Sequence, residues 1–229
     1  MTAIKICGIR EPEHAILAAE AGADYIGLNF YPPSSRYVSP DEAQAVCQAL
    51  DTLPSDKRPK LVGVFVNEQP SVMVALTDLC GLDLLQLSGD EPWRACVGLP
   101  VPAIKALRIV PGTCVDDVVD ELSRELAPHT NRGGLCLIES RVEGHYGGTG
   151  QRVDWSLARI AARRYAFLLS GGLDPDNVGD AVAHVRPWGV DVSSGVESAG
   201  KKDPAKISAF IEAVRTADLQ IHTALGSSP

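Results

Sequence analysis

Several common signatures are missing from this sequence of 229 residues, and each absence removes a class of protein. No apolar run reaches the roughly 18 residues that a membrane-spanning helix needs. No GxGxxG follows the first strand-like segment, so the fingerprint of a dinucleotide-binding fold is absent. The 21 Lys and Arg are outnumbered by 29 Asp and Glu, and a net charge of −8 argues against a nucleic-acid-binding surface. We therefore expect neither a membrane nor a nucleic acid as partner.

The six cysteines follow no spacing that is typical of a metal site or of a disulfide framework. They stand at positions 7, 47, 80, 96, 114 and 136, and no two of them form a CxxC pair. Structural zinc sites and small disulfide-rich domains have regular, closely spaced cysteines. We therefore expect no metal, and mostly reduced cysteines that fill the core of a cytoplasmic protein.

Strand-like and helix-like segments alternate along the whole chain. Short apolar runs bounded by turn residues, as in strands buried in a parallel sheet, occupy 4–9, 24–30, 60–66, 82–88, 102–109, 134–140, 165–171 and 189–195. Helical patterns follow them at 11–22, 39–50, 71–80, 90–98, 115–127, 154–164, 175–184 and 203–217. No linker divides these eight units, so they predict a single domain over residues 1–229, with a frayed tail at 222–229.

Eight strand–helix units suit a closed, parallel (β/α)₈ TIM barrel, and a doubly wound open sheet is the alternative. The position of the glycine-rich loops favours the barrel. These loops follow the sixth, seventh and eighth strands, and sugar-phosphate barrels commonly bind phosphate after strands seven and eight. The fold class predicted from the sequence is therefore α/β, as one TIM barrel.

Polar residues share one face of several predicted strands, because side chains alternate along a strand. These residues are Lys5, Cys7, Gln86, Lys105, Glu139 and Asp191. Directed towards the barrel axis, the two cations and two anions can pair, whereas charges beneath the helices would be costly to bury. We expect them to meet near the C-terminal strand ends, where barrel enzymes hold their active sites. The alternative is a structural Lys–Asp pair and a cysteine that only packs.

Glycine-containing loops and one arginine are candidates for binding anions. Main-chain N–H groups can approach a phosphate closely at Gly148 in GGTG, at Gly171 and Gly172 in SGGL, and at Ser194 and Gly195 in SSG. Arg36, which precedes a predicted helix, offers a planar fork that suits a carboxylate. Simple turns and a solvated loop arginine are the alternative interpretations.

An ordered set of motifs resembles the phosphoribosylanthranilate isomerase family over nearly the whole chain. The motifs are KICGI (5–9), SSRYVSP (34–40), VGVFVN (62–67), QLSGDE (86–91), YGGTGQRVDW (146–155), SGGLDPDNV (170–178), DVSSGVES (191–198) and GKKD (200–203). The resemblance implies an Amadori rearrangement in tryptophan biosynthesis, without metal or organic cofactor. N-(5-phosphoribosyl)anthranilate becomes 1-(2-carboxyphenylamino)-1-deoxyribulose 5-phosphate, so the expected partner is this small phosphoribosyl substrate.

The resemblance also implies roles for individual residues. Cys7 corresponds to the general base, the carboxylate at the end of strand six to the general acid, and Arg36 to the group that holds the anthranilate carboxylate. Lys5, on the same strand face as Cys7, is expected to lower the thiol pKa from its ordinary value of about 8.5. Lys5, Gln86 and Asp191 are expected to contact the substrate.

The chain departs from the family pattern at two positions. Glu139 stands where the family has an aspartate, and its extra methylene moves the carboxyl group by about a bond length; Glu143 is the substitute candidate for the acid. Ser88 stands where the family commonly has histidine.

Two other functions remain as alternatives. One is the histidine-pathway isomerase, whose usual aspartate at the end of strand one is replaced here by Cys7. The other is a barrel that binds phosphate but has lost turnover. The expected oligomeric state is a monomer or a homodimer.

Overall fold

Eight parallel strands form a closed barrel in this computed structural model, which describes residues 1–110, 112–125, 134–140 and 153–226. The strands are β1 (Ala3–Cys7), β2 (Tyr25–Asn29), β3 (Lys60–Phe65), β4 (Leu84–Leu87), β5 (Ala103–Ile109), β6 (Leu135–Ser140), β7 (Phe167–Leu169) and β8 (Gly189–Val192). Each strand pairs with the next along the chain, and β8 pairs with β1 to close the barrel. The predicted TIM barrel is confirmed.

Seven α-helices pack around the barrel in the described part of the chain. They are α1 (Pro12–Ala21), α2 (Pro40–Leu50), α3 (Pro70–Cys80), α4 (Val115–Glu125), α5 (Trp155–Ala162), α6 (Val178–Val185) and α7 (Pro204–Gly226). The start of α2 shows why the chain turns helical where it does. The Ser39 hydroxyl accepts from the Glu42 N–H, the Glu42 carboxylate accepts from the Ser39 N–H, and Pro40 occupies the first turn.

Two predicted boundaries are wrong. Segment 90–98, predicted as a helix, contains only a short 3₁₀ turn at Trp93–Cys96. Pro92 precedes this turn, and Gly98 adopts a positive φ of 83° two residues before Pro100, so an α-helix cannot continue here. At the other end of the chain, α7 reaches Gly226, so residues 222–226 of the expected frayed tail are helical. None of the helices in the described ranges is long and apolar enough to span a bilayer.

Two separate apolar cores lie on the two faces of the sheet. The outer core lies between the strands and the helices and includes Ile4, Leu85 and Leu107. The inner cluster fills the barrel itself with Tyr25, Val62, Leu84, Ile104, Ala106, Leu137 and Leu168. Because side chains alternate along each strand, the residues two positions further on occupy the same inner face nearer the C-terminal strand ends.

Lys105 does not point into the barrel, contrary to the prediction. Its neighbour Ile104 belongs to the inner cluster, so the Lys105 side chain lies on the opposite face of β5. There the ammonium donates to the carbonyl oxygens of Leu87 (3.1 Å) and Gly89 (2.9 Å) and to Glu91 Oε2 (3.0 Å). The loop after β4 thus supplies the partners that make this buried cation tolerable.

Candidate functional site

A buried ion pair separates the inner cluster from the open end of the barrel. Lys5 of β1 is fully buried, and its Nζ lies 2.7 Å from Asp191 Oδ1 on β8. The Ser170 hydroxyl donates to the other oxygen of Asp191 at 2.9 Å. Burial lowers the pKa of Lys5, but the charges of Asp191 and of a Cys7 thiolate outweigh it and raise the pKa above its ordinary value. Lys5 is therefore a permanent cation beneath the site.

Cys7 lies at the end of β1 on the same inner face as Lys5. Its thiol is largely buried, and a glycine at position 27 of the adjacent β2 leaves room for it, because a Cβ there would lie 2.8 Å from the sulfur. Burial raises the pKa of Cys7, and the nearby Lys5 charge lowers it by less, so the net pKa lies above its ordinary value. The expected influence of Lys5 has the predicted sign, but the resting residue is a neutral thiol.

Glu139 places a second titratable group on the inner face, near the end of β6. Its side chain is buried, and no described residue hydrogen-bonds to its Oε1 atom. Burial and the negative charge of Asp191 raise the pKa of Glu139 to about 7, against the opposing charges of Arg108, Lys5 and Lys105. Near neutral pH this carboxyl group is therefore close to half protonated, which suits a group that gives or takes a proton.

Arg36 reaches the site from the loop between β2 and α2. Its Nε and Nη2 donate to the two oxygens of Glu197 at 2.7 and 2.8 Å. Glu197 also accepts from Lys202 Nζ at 2.7 Å, across a short hairpin formed by β9 (Glu197–Ser198) and β10 (Lys201–Lys202). The hydrogen bond to Glu197 raises the pKa of Arg36.

The loops after β7 and β8 present main-chain groups beside these side chains. Gly171 and Gly172 have φ values of 94° and 64°, a region that L-residues with a Cβ avoid. A Cβ on Gly195 would lie 1.9 Å from the carbonyl oxygen of Leu173, so only glycine lets the two loops approach so closely. Ser194 opens a short 3₁₀ turn beside them. Gly148 and Glu143 lie outside the described residues.

Most of the predicted site residues border one pocket at the C-terminal end of the barrel. Its lining includes Cys7, Arg36, Gln86, Ser88, Glu139, Gly171, Gly172, Asp191 and Ser194. Lys5 lies beneath this lining, held by Asp191, and Gly195 packs behind it against Leu173. Gln86 donates to Ser88 Oγ at 3.0 Å, while no described residue hydrogen-bonds to its Oε1. In the described ranges no three His, Cys, Asp or Glu side chains could hold a metal ion.

Three residues of the site were missed from the sequence. Arg108 follows Ile104 by four positions and thus shares the inner face of β5, where it is paired in register with Glu139 of β6. Counting from Ile104 instead of Lys105 would have found it. Glu197 and Lys202 were passed over because a hairpin of two-residue strands leaves no periodic signal; the charges in VES and GKKD were the only indication.

Comparison with known proteins agrees with this architecture. The family model described as "N-(5'phosphoribosyl)anthranilate (PRA) isomerase" matches residues 4–213. The N-(5'-phosphoribosyl)anthranilate isomerase of Roseiflexus sp. (strain RS-1) is 46% identical over 220 residues, which cover 95% of this chain and 99% of the relative.

Solved structures give the same result. A monomeric form of the dimeric Thermotoga maritima phosphoribosylanthranilate isomerase has a TM-score of 0.76 and 35% identity, with 94% of this chain and 100% of that chain covered. The same values apply to a phosphoribosyl anthranilate isomerase in complex with reduced 1-(o-carboxyphenylamino)-1-deoxyribulose 5-phosphate.

Proposed function

The chain belongs to the N-(5'-phosphoribosyl)anthranilate isomerase family, and we propose that Cys7 and Glu139 carry out its Amadori rearrangement as general base and general acid. The reaction belongs to tryptophan biosynthesis and needs no cofactor. The observation that carries this proposal is the shared pocket: a thiol from β1 and a carboxyl group from β6 both border it, together with Arg36 and the loop glycines. A sugar bound in this pocket would therefore have the proposed acid and the proposed base within one site.

Glu139 starts the reaction by donating a proton to the furanose ring oxygen. The bond between C1′ and this oxygen then breaks, and the lone pair of the anilino nitrogen forms the C=N bond of a protonated Schiff base. A general acid is most effective when its pKa lies near the working pH. The pKa of Glu139, about 7, meets that condition, whereas an exposed glutamate would be almost fully ionised.

Cys7 completes the reaction by removing the proton from C2′. The electrons of the C2′–H bond form the C1′=C2′ bond of an enolamine and neutralise the nitrogen; the enolamine then tautomerises to the ketone. The raised pKa of the thiol makes the thiolate a minor form, but a stronger base. Lys5 favours that thiolate, since its charge lowers the pKa of Cys7 against the effect of burial.

The two ends of the substrate carry anions that match the two ends of the pocket. Gly171, Gly172 and Ser194 border the pocket, and we assign the phosphate to their main-chain N–H groups, with Gly148 and Gly195 in the same role. Arg36 takes the anthranilate carboxylate. Between them, Gln86 and Asp191 face the sugar, and Gln86 Oε1, to which no described residue hydrogen-bonds, can accept a hydrogen bond from a ribose hydroxyl.

Turnover of N-(5'-phosphoribosyl)anthranilate by purified variants tests the proposal. We expect Glu139→Gln and Cys7→Ser each to reduce kcat by roughly 10²–10⁴-fold, the usual value of a general acid or base. Cys136→Ser is the matched control, because Cys136 is also buried, on β6, but does not border the pocket. Near-full turnover by Glu139→Gln would refute its assignment as the acid.

A growth test separates an enzyme from a barrel that only binds phosphate. The wild-type gene should restore growth of a tryptophan auxotroph that lacks this isomerase, and the Glu139→Gln gene should not. Failure of the wild type, when the protein is folded and expressed, would refute isomerase activity altogether.

A further inference from the structure

Glu197 contacts Arg36 along one edge of its guanidinium group and leaves another edge open. The contact uses Nε and Nη2, each donating to a different carboxylate oxygen. A guanidinium has five N–H donors, and this side-on contact occupies two of them. The end-on edge, with one N–H from each terminal nitrogen, has no hydrogen-bond partner among the residues that the structure describes and can take a second carboxylate in a bidentate contact.

Arg36 is fixed from its backbone to its head group. Its N–H donates to Ser34 Oγ at 3.1 Å, so its backbone is tied to a turn. Its aliphatic stem lies directly over Gly8, where an added Cβ would lie 2.7 Å from the Arg36 Cδ. Glu197 then fixes the one part that these contacts leave free, the rotation of the guanidinium plane.

Glu197 is itself held in place by Lys202. The Lys202 ammonium is buried and donates to Glu197 Oε1 at 2.7 Å and to the Ser193 carbonyl oxygen at 2.8 Å. Ser193 in turn donates its hydroxyl hydrogen to the Cys7 carbonyl oxygen at 3.1 Å. The hairpin is therefore tied to the strand that carries the thiol, and two cations share one anion at the rim of the pocket.

We infer that Glu197 is a positioning residue that orients the end-on edge of Arg36 towards the anthranilate carboxylate. This inference rests on the proposed function, in which Arg36 binds that carboxylate. Glu197 itself is not among the residues that line the pocket. By electrostatics alone its negative charge would repel the substrate carboxylate. Removing the charge should therefore weaken binding of the carboxylate if Glu197 positions Arg36, and strengthen it if repulsion dominates.

The experiment compares two ligands in wild type and in Glu197→Gln by calorimetric titration. One ligand is reduced 1-(o-carboxyphenylamino)-1-deoxyribulose 5-phosphate, and the other is its phenylamino counterpart without the carboxyl group. We expect Glu197→Gln to weaken the carboxylated ligand by about tenfold or more, as for a charged hydrogen bond lost to misorientation. The phenylamino ligand should change by less than about twofold. With substrate, KM should rise more than kcat falls.

The controls separate positioning from support of the fold. Ser198→Ala removes the neighbouring hairpin contact with Asp203 and should weaken neither ligand. If Glu197→Gln does not fold, Glu197→Asp keeps the charge on a shorter side chain. Its loss of affinity must likewise be larger for the carboxylated ligand than for the phenylamino ligand.

Three results would overturn the inference. Equal weakening of both ligands means that Glu197 only supports the fold, and unchanged or tighter binding of the carboxylated ligand means that repulsion dominates. If wild type itself does not distinguish the ligands, the assignment of Arg36 falls as well. If wild type distinguishes the two ligands but Glu197→Gln weakens the binding of both equally, only the positioning role of Glu197 is refuted.

Discussion

Replacing Glu139 by glutamine measures what its buried carboxylate costs the fold. Glutamine has nearly the same shape and cannot ionise. The pKa of Glu139 rises from 4.5 to about 7 on folding. Below pH 4.5 the carboxyl group is protonated in both states; as the pH rises through 7 the folded protein must ionise a buried group and loses stability. At 1.36 kcal/mol per pKa unit, ionisation of Glu139 lowers the free energy of unfolding above pH 7 by about 3 kcal/mol.

Urea unfolding of wild type and Glu139→Gln at pH 4 to 9 measures this difference directly. We expect the variant to gain stability relative to wild type with rising pH, from nearly zero at pH 4 to about 3 kcal/mol at pH 8. In a chain of this length, that gain raises the Tm by roughly 6–12 °C. Glu212→Gln, at an exposed position on α7, should show no such trend. A difference independent of pH, or a variant less stable than wild type at pH 8, would refute the reasoning.

Three further substitutions test the surroundings of the thiol. Gly27→Ala puts a methyl group 2.8 Å from the Cys7 sulfur and should lower kcat by about ten- to hundredfold, whereas Gly179→Ala, with no atom nearer than 3.7 Å, should not. Asp191→Asn leaves the Lys5 ammonium buried without a counter-charge, so we expect a loss of about 3–5 kcal/mol in urea unfolding; a loss below 1 kcal/mol would contradict this. Lys5→Met should move the pH midpoint of Cys7 alkylation upwards, and an unchanged midpoint would show that Lys5 does not act on the thiol.

The strands could be predicted from the sequence because each is a short apolar run between turn residues. The segment 102–109, for example, corresponds to β5 at Ala103–Ile109. The helix predicted at 90–98 is wrong because the chain turns at Gly98, which has a positive φ of 83°, so the short span after Pro92 holds only one 3₁₀ turn. Giving weight to Gly98 and the nearby Pro100, a pair that typically ends a helix, would have shortened this prediction.

The direction of side chains was predictable only where one face of a strand is clearly polar. Period two correctly grouped Lys5 with Cys7, but on β5 both faces carry a charged residue, and the choice of Lys105 over Arg108 was wrong. The carbonyl oxygens that hold Lys105 belong to a loop whose path the sequence does not reveal. The direction of the Cys7 pKa shift could not be predicted either, because it depends on the balance between burial, which raises the pKa, and the Lys5 charge, which lowers it.

The inner cluster closes the barrel beneath the pocket, so the pocket opens only at the C-terminal ends of the described strands. Its packed side chains, from Tyr25 to Leu168, occupy the floor, so within the described ranges substrate and product pass the same rim. In the proposed mechanism, a bound sugar lies between the Cys7 thiol and the open end of the pocket. On that proposal, the proton that Cys7 takes from C2′ is kept from solvent and can be returned to C1′, so the rearrangement would retain the substrate's own hydrogen atoms.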